Sequence, residues 1–274
     1  MAFGKQEEKS VVSKSDRLLS ELYKPATELT ADKGLKIAIW GRAKVGKSYF
    51  CLTPPNGKIY AIDTESGLKV NIQSFDDKTK KRVFVAEILQ FSGLKTGNNI
   101  DYNQILDVLD DAVNKILLAV KNGEEEDITI VIDSASDIWD WLGTWLGELP
   151  GVSHIGKDAD KVNRLEWGKA NKRYETIMTK LKMSGCNVIC TYKAKDAISS
   201  SGSDLGFARP RWQKNSKHIF DVIATIELIG GKRIMKFTTD DCGSRYGDKI
   251  PDLENPSWEK LLKHLESHCG VSFG

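Results

Sequence analysis

The chain has 274 residues, 40% of them hydrophobic and 28% charged, the make-up of a globular protein with one large domain or a domain plus an appendage. Forty Lys and Arg against 38 Asp and Glu leave a formal charge of +2, which excludes a wholly basic nucleic-acid coat and confines phosphate contacts to local patches. No apolar run reaches the ~18–20 residues of a membrane span. The opening MAFGKQEEKS is too polar for a signal-peptide core, and the five cysteines form no CxxC pair; a reducing cytoplasm without membrane attachment is expected.

Residues 1–33 are polar, with apolar positions at Val11, Leu18, Leu19 and Leu22. They predict an arm or short helix that ends at Lys24-Pro25, since a residue before proline is pushed out of helix. From Gly34 the texture changes. Residues 35–40 read as a strand closing on Gly41, and 47–52 as a helix stopped by Pro54-Pro55. Strands follow at 59–63 and 82–86. The three- and four-residue spacing of Ile105, Leu109, Val113 and Ile116 marks an amphipathic helix over 102–121. Residues 128–132 are apolar on both faces, the pattern of a central parallel strand. A helix opens near Ser134, a longer one covers 163–184, and a buried strand lies at 187–192. Ser199-Ser200-Ser201-Gly202-Ser203 reads as a mobile loop. A hairpin of 222–228 and 233–238 turns at Gly230-Gly231, and a closing helix over 256–268 starts at Asn255-Pro256. The predicted fold class is α/β: a mainly parallel twisted sheet flanked by helices, with a C-terminal antiparallel extension. The predicted division is an arm (1–33), a core (34–240) and an extension carrying the closing helix (241–274).

The strongest local signal is Gly41-Arg42-Ala43-Lys44-Val45-Gly46-Lys47-Ser48, a full match to G-x-x-x-x-G-K-[ST] between a predicted strand and helix. Such glycines let backbone N–H groups curl around phosphate oxygens. Lys47 is expected to reach the β- and γ-phosphates of a nucleotide, and the Ser48 hydroxyl to ligate Mg²⁺; Tyr49 follows directly and completes the binding segment. No Asn-Lys-x-Asp guanine reader is present, so ATP is the expected nucleotide. Asp133, at the end of the central strand, is the candidate Mg²⁺ partner, with an N-cap for the next helix as the alternative.

Tyr60-Ala61-Ile62-Asp63-Thr64-Glu65 and Val131-Ile132-Asp133-Ser134 resemble the Asp-x-Glu and Asp-Ser signatures of RecA-like recombinase cores. The layout from 34 to 240 is similar to the small RecA-like ATPases of bacteriophages, some of which act in single-strand annealing or recombination. That resemblance implies a RecA-like P-loop ATPase core and Glu65 as the catalytic base acting with Lys47 and Asp133. It also implies a sensor at Thr191 or Tyr192, although neither is the family's usual glutamine or histidine. A ring or filament of identical subunits and single-stranded DNA as partner are likewise implied.

The family's second DNA-facing loop corresponds to residues 194–217, where Lys195, Arg209, Arg211 and Trp212 are candidate DNA contacts. Cations there would follow the phosphate backbone and the aromatic would stack bases. A solvated loop with Trp212 tucked onto the core is the alternative. The first loop falls within 147–160. Lys214 and Lys217 precede a strand where RecA-like filaments carry cations that reach a neighbour's γ-phosphate, so both are candidate trans-acting groups. An ATP-switched assembly module without DNA activity and a P-loop small-molecule kinase are the competing functions.

Overall fold

The computed structural model describes residues 34–91, 94–95, 99–152, 162–199 and 202–273. The N-terminal arm and most of the expected first loop lie outside them. Residues 34–274 make one compact unit. In chain order its elements are β1 (Lys36–Gly41), α1 (Lys47–Cys51), β2 (Ile59–Asp63), α2 (Leu68–Gln73), α3 (Asp77–Lys80) and β3 (Val83–Glu87). A small ribbon, β4 (Leu94–Lys95) and β5 (Asn99–Ile100), leads to α4 (Tyr102–Lys121), β6 (Thr129–Asp133), α5 (Ala135–Glu148) and α6 (Trp167–Lys182). Then come β7 (Asn187–Ile198), β8 (Asp204–Pro210), β9 (Val222–Ile229), β10 (Lys232–Lys236), β11 (Gly243–Ser244), β12 (Leu253–Glu254) and α7 (Trp258–Cys269).

The parallel strands run in the order β9–β1–β7–β6–β2–β3, and β10 and β12 extend the β9 edge antiparallel. This is the expected class of fold. It follows from strands that are apolar on both faces and must be covered on both. Ala38, Trp40, Ile130, Ile132, Val188 and Cys190 pack under α4, α5 and α6. Their alternate neighbours Ile37, Ile39, Val131 and Ile189 pack against α1 and α7 through Phe50, Trp258, Leu261 and Leu265. The helices are capped where the sequence offers caps. Asp101 accepts from the Gln104 N–H at 3.1 Å to open α4. Ser257 accepts from Lys260 N–H to open α7, which ends on Gly270 in the left-handed region (φ 64°).

Two expectations change. The helix expected from 163 begins at Trp167, after a 3₁₀ turn over Arg164–Glu166. The segment expected as a loop after 192 is largely strand: β7 continues to Ile198 and β8 pairs back on it antiparallel, Lys195 opposite Arg209. Pairing satisfies the backbone groups of both segments, an option that a Ser- and Gly-rich composition does not announce. At the tip, Ser199 N–H donates to Ser203 C=O at 2.8 Å; residues 200–201 lie outside the described residues.

Candidate active site

The parallel strands run in one direction, so β1, β2 and β6 deliver their last residues beside Thr191 and Lys193 of the longer β7. At the end of β1 the chain turns through 41–48. Gly41 lies so near β9 that a Cβ there would stand 2.5 Å from the Ile226 carbonyl oxygen. Gly46, at φ 101°, holds a backbone conformation that side chains resist. Val45 is buried, whereas Arg42, Ala43 and Lys44 are exposed. The Lys47 ammonium folds back to donate to the Gly41 carbonyl at 3.0 Å and the Arg42 carbonyl at 2.8 Å. Burial pulls its pKa below that of a free lysine, against the opposing pull of Asp133 and Glu65. The ring of Tyr49 stacks on Phe75 with centroids 4.7 Å apart.

Thr191 donates a hydrogen bond to the buried Asp133 carboxylate, and the Ser48 hydroxyl lies beside it. Burial raises the Asp133 pKa, the two hydroxyls oppose that rise, and nearby Glu65 and Asp63 add to it. The end of β2 is fastened to the end of β6. Thr64 N–H donates to the Asp133 carbonyl at 2.8 Å, and the Thr64 hydroxyl accepts from Ser134 N–H and donates to Asp137 at 2.8 Å. Asp63 is the organiser of the following turn, accepting from the N–H groups of Glu65, Gly67 and Leu68 at 3.1, 3.3 and 2.9 Å. Glu65 is thereby presented at the edge beside Lys47.

Sequence reasoning missed Lys193. It follows Thr191 by two residues and therefore shares its face of β7, opposite Gly41 in register. Its ammonium pairs with Glu65 at 2.6 Å and with Asp137 at 2.5 Å. Burial alone would depress the Lys193 pKa, but these two carboxylates hold it above the ordinary value. Period-two alternation was the available signal; the acidic partners come from the turn after β2 and from α5.

Of the two sensor candidates, only Thr191 joins the cluster. Tyr192 faces the opposite layer, fully buried, with its hydroxyl 3.2 Å from that of Tyr174. A side chain one residue along a strand must point the other way, so the expected sensor position at Tyr192 is a core position.

Among the expected DNA-facing groups, the two arginines are ion-paired. Arg209 pairs with Asp241 at 2.9 Å and Arg211 with Asp140 at 2.7 Å. Trp212 packs edge-on against Tyr192, its ring centroid 5.3 Å away, and so follows the tucked alternative rather than standing free to stack a base. Lys195, Lys214 and Lys217 are exposed and have no acidic partner among the described residues. A cavity of about 850 Å³ separates residues 41–45 from Phe207 of β8 and from 239–241.

A glycine-bearing turn from β1 into α1, with β7 standing between β1 and the acid-tipped β6, defines the P-loop NTPase class. Residues 33–246 match the family model described as an AAA domain, and the chain belongs to that family. Among solved structures, the genome packaging NTPase B204 from Sulfolobus turreted icosahedral virus 2, in complex with ATP-gammaS, is similar at 11% identity and a TM-score of 0.35. That alignment covers 86% of this chain and 82% of B204. No curated protein matches the chain significantly. No helix among the described residues is long and apolar enough to cross a membrane.

Proposed function

We propose that the chain binds MgATP in the 41–48 loop and hydrolyses it as a RecA-like ATPase, in a homo-oligomeric ring or filament that acts on single-stranded DNA in phage-type recombination or annealing. One observation carries the catalytic part: Lys47, the Ser48–Asp133–Thr191 cluster and Glu65 meet at a single sheet edge. Lys47 already donates to two carbonyls, and it would exchange them for the stronger negative charge of the β- and γ-phosphates. A serine hydroxyl beside a buried carboxylate is the all-oxygen donor pair that suits Mg²⁺. When bound, Mg²⁺ would neutralise charge on the β- and γ-oxygens. Glu65 would accept a proton as a water oxygen bonds to the γ-phosphorus and the bond to the β-bridging oxygen breaks, leaving ADP and inorganic phosphate.

The DNA part rests on Lys195, Lys214 and Lys217, which stay exposed and unpaired by acids among the described residues; Lys214 and Lys217 are also the proposed contacts to a neighbouring subunit's nucleotide. The Arg209–Asp241 and Arg211–Asp140 pairs favour a second reading, an ATP-switched assembly module indifferent to DNA. A small-molecule kinase is the weaker rival, because those paired arginines are the ones it would need for a lid. An ATPase assay with and without single-stranded DNA, run beside light scattering, separates the readings. DNA-stimulated turnover with growth of large assemblies supports the proposal. Slow turnover untouched by DNA at every salt concentration transfers the case to the assembly module.

A further inference from the structure

The hairpin that the sequence places far from the nucleotide loop touches it. A Cβ built on Gly46 would stand 2.5 Å from Nε and 2.7 Å from Cδ of Arg233, so the arginine side chain lies against the backbone of the loop's second motif glycine. The sheet order explains the approach. β9 runs parallel beside β1, Thr225 opposite Trp40, and β10 returns antiparallel with Arg233 opposite Leu228. The arginine's backbone is fixed from the far side as well. Its N–H donates to the Asn255 side-chain oxygen at 3.3 Å, and its carbonyl accepts from Asn255 N–H at 2.6 Å.

Charge sharpens the observation. The other two cations of β10 are matched, Lys232 with Glu254 at 2.9 Å and Lys236 with Glu227 at 2.7 Å. The Arg233 guanidinium has neither an acidic nor a hydrogen-bonding partner among the described residues. A five-donor fork, held by its strand against a phosphate-loop glycine and left unmatched, is arranged for an arriving anion.

We infer that Arg233 is a cis-acting phosphate contact: its fork donates to the phosphate oxygens of a nucleoside di- or triphosphate from the Gly46 side of the loop. The C-terminal hairpin thereby forms a second wall of the phosphate site. The inference rests on the reading of 41–48 as a nucleotide loop and goes beyond it, because it assigns binding to an element outside the motif.

The test is calorimetric titration of the full chain with MgADP and, separately, with magnesium pyrophosphate, which has no base or ribose. R233A and R233K are compared with wild type and with K232A, whose cation is ion-paired at the surface. Loss of charge-assisted hydrogen bonds predicts about 10- to 100-fold weaker binding of both ligands by R233A. R233K is expected to recover part of it, because charge remains while the fork is lost, and K232A to stay within about twofold. The unliganded melting temperature of R233A should match wild type, since the side chain is exposed. R233A binding both ligands as wild type does overturns the inference, and so does a loss confined to ADP, which would make Arg233 a base contact. If wild type binds neither ligand, the nucleotide reading itself falls and this inference falls with it.

Discussion

The nucleotide-loop edge and the β7–β8 hairpin are built from similar material, glycines and serines with a high density of charge, yet the arginines of the hairpin and the Lys47 and Asp133 groups of the loop edge are matched differently. In the hairpin region each arginine meets an acid from another part of the unit, Arg209 with Asp241 and Arg211 with Asp140. At the loop edge Lys47 has only carbonyl oxygens as hydrogen-bond acceptors, and the buried Asp133 carboxylate takes its hydrogen bond from the Thr191 hydroxyl rather than from a cation. Internally matched charge is a structural feature. Charge held in place without its match marks where an outside ion is to complete the set.

The largest expected effect sharpens that contrast. Lys47→Ala should lower ATP turnover by at least ~10²–10³-fold, the scale for losing one preorganised electrostatic group, while the folded protein melts no lower than wild type because a half-buried ammonium has gone. Wild-type turnover in this variant would break the comparison at its root. Lys47 also predicts a pH signature. Its pKa is lowered by burial, and a bound polyphosphate would raise it again, so nucleotide binding at alkaline pH should take up a proton and weaken as pH rises through the lowered value. Calorimetry in buffers of different ionisation heat reads that uptake directly.

Next in size, Glu65→Gln should cost ~10²–10⁴-fold in turnover, the usual contribution of a general base, with ADP affinity kept. Lys193→Met is the informative companion. It removes the ammonium that holds Glu65 and Asp137, so an altered pH–rate profile at unchanged ADP affinity is expected; an unchanged profile would make Lys193 a structural tie alone.

Asp133→Asn should separate stability from activity. Burial raises the folded-state pKa of Asp133 above its unfolded value. The native state therefore favours the protonated acid, and that contribution is present below the unfolded pKa and lost as pH rises through the folded one. Asparagine stays neutral throughout, so at neutral pH the variant should melt at or above the wild-type temperature while Mg²⁺-dependent turnover falls. Smallest of all, Arg209→Ala and Arg211→Ala should shift stability by only ~0.2–1 kcal/mol in chemical denaturation, as exposed ion pairs do. A turnover loss in either variant to match Lys47→Ala would erase the distinction between the two regions.

Much of this was legible in the chain because the decisive signals are local. The 41–48 motif is contiguous, and the run before Asp133 states both its strand and its burial. The face shared by Ile189, Thr191 and Lys193 follows from strand period alone, though the partners of Lys193 arrive from the turn after β2 and from α5. Arg233 left no such trace, because its approach to Gly46 depends on the order in which β10, β9 and β1 assemble. Nor did β8, whose register on β7 is a tertiary choice that local propensity does not make.

One contact ties α7 to α1. The Trp258 N–H donates to the Thr53 hydroxyl at 2.8 Å, just beyond the end of α1, while the Trp258 side chain is buried in the layer that also holds Phe50. A deletion that stops short of Trp258 would uncover the underside of the motif helix, so shortened versions of this protein should lose nucleotide affinity even though every motif residue is still present. For anyone engineering the molecule, the tail is part of the grip.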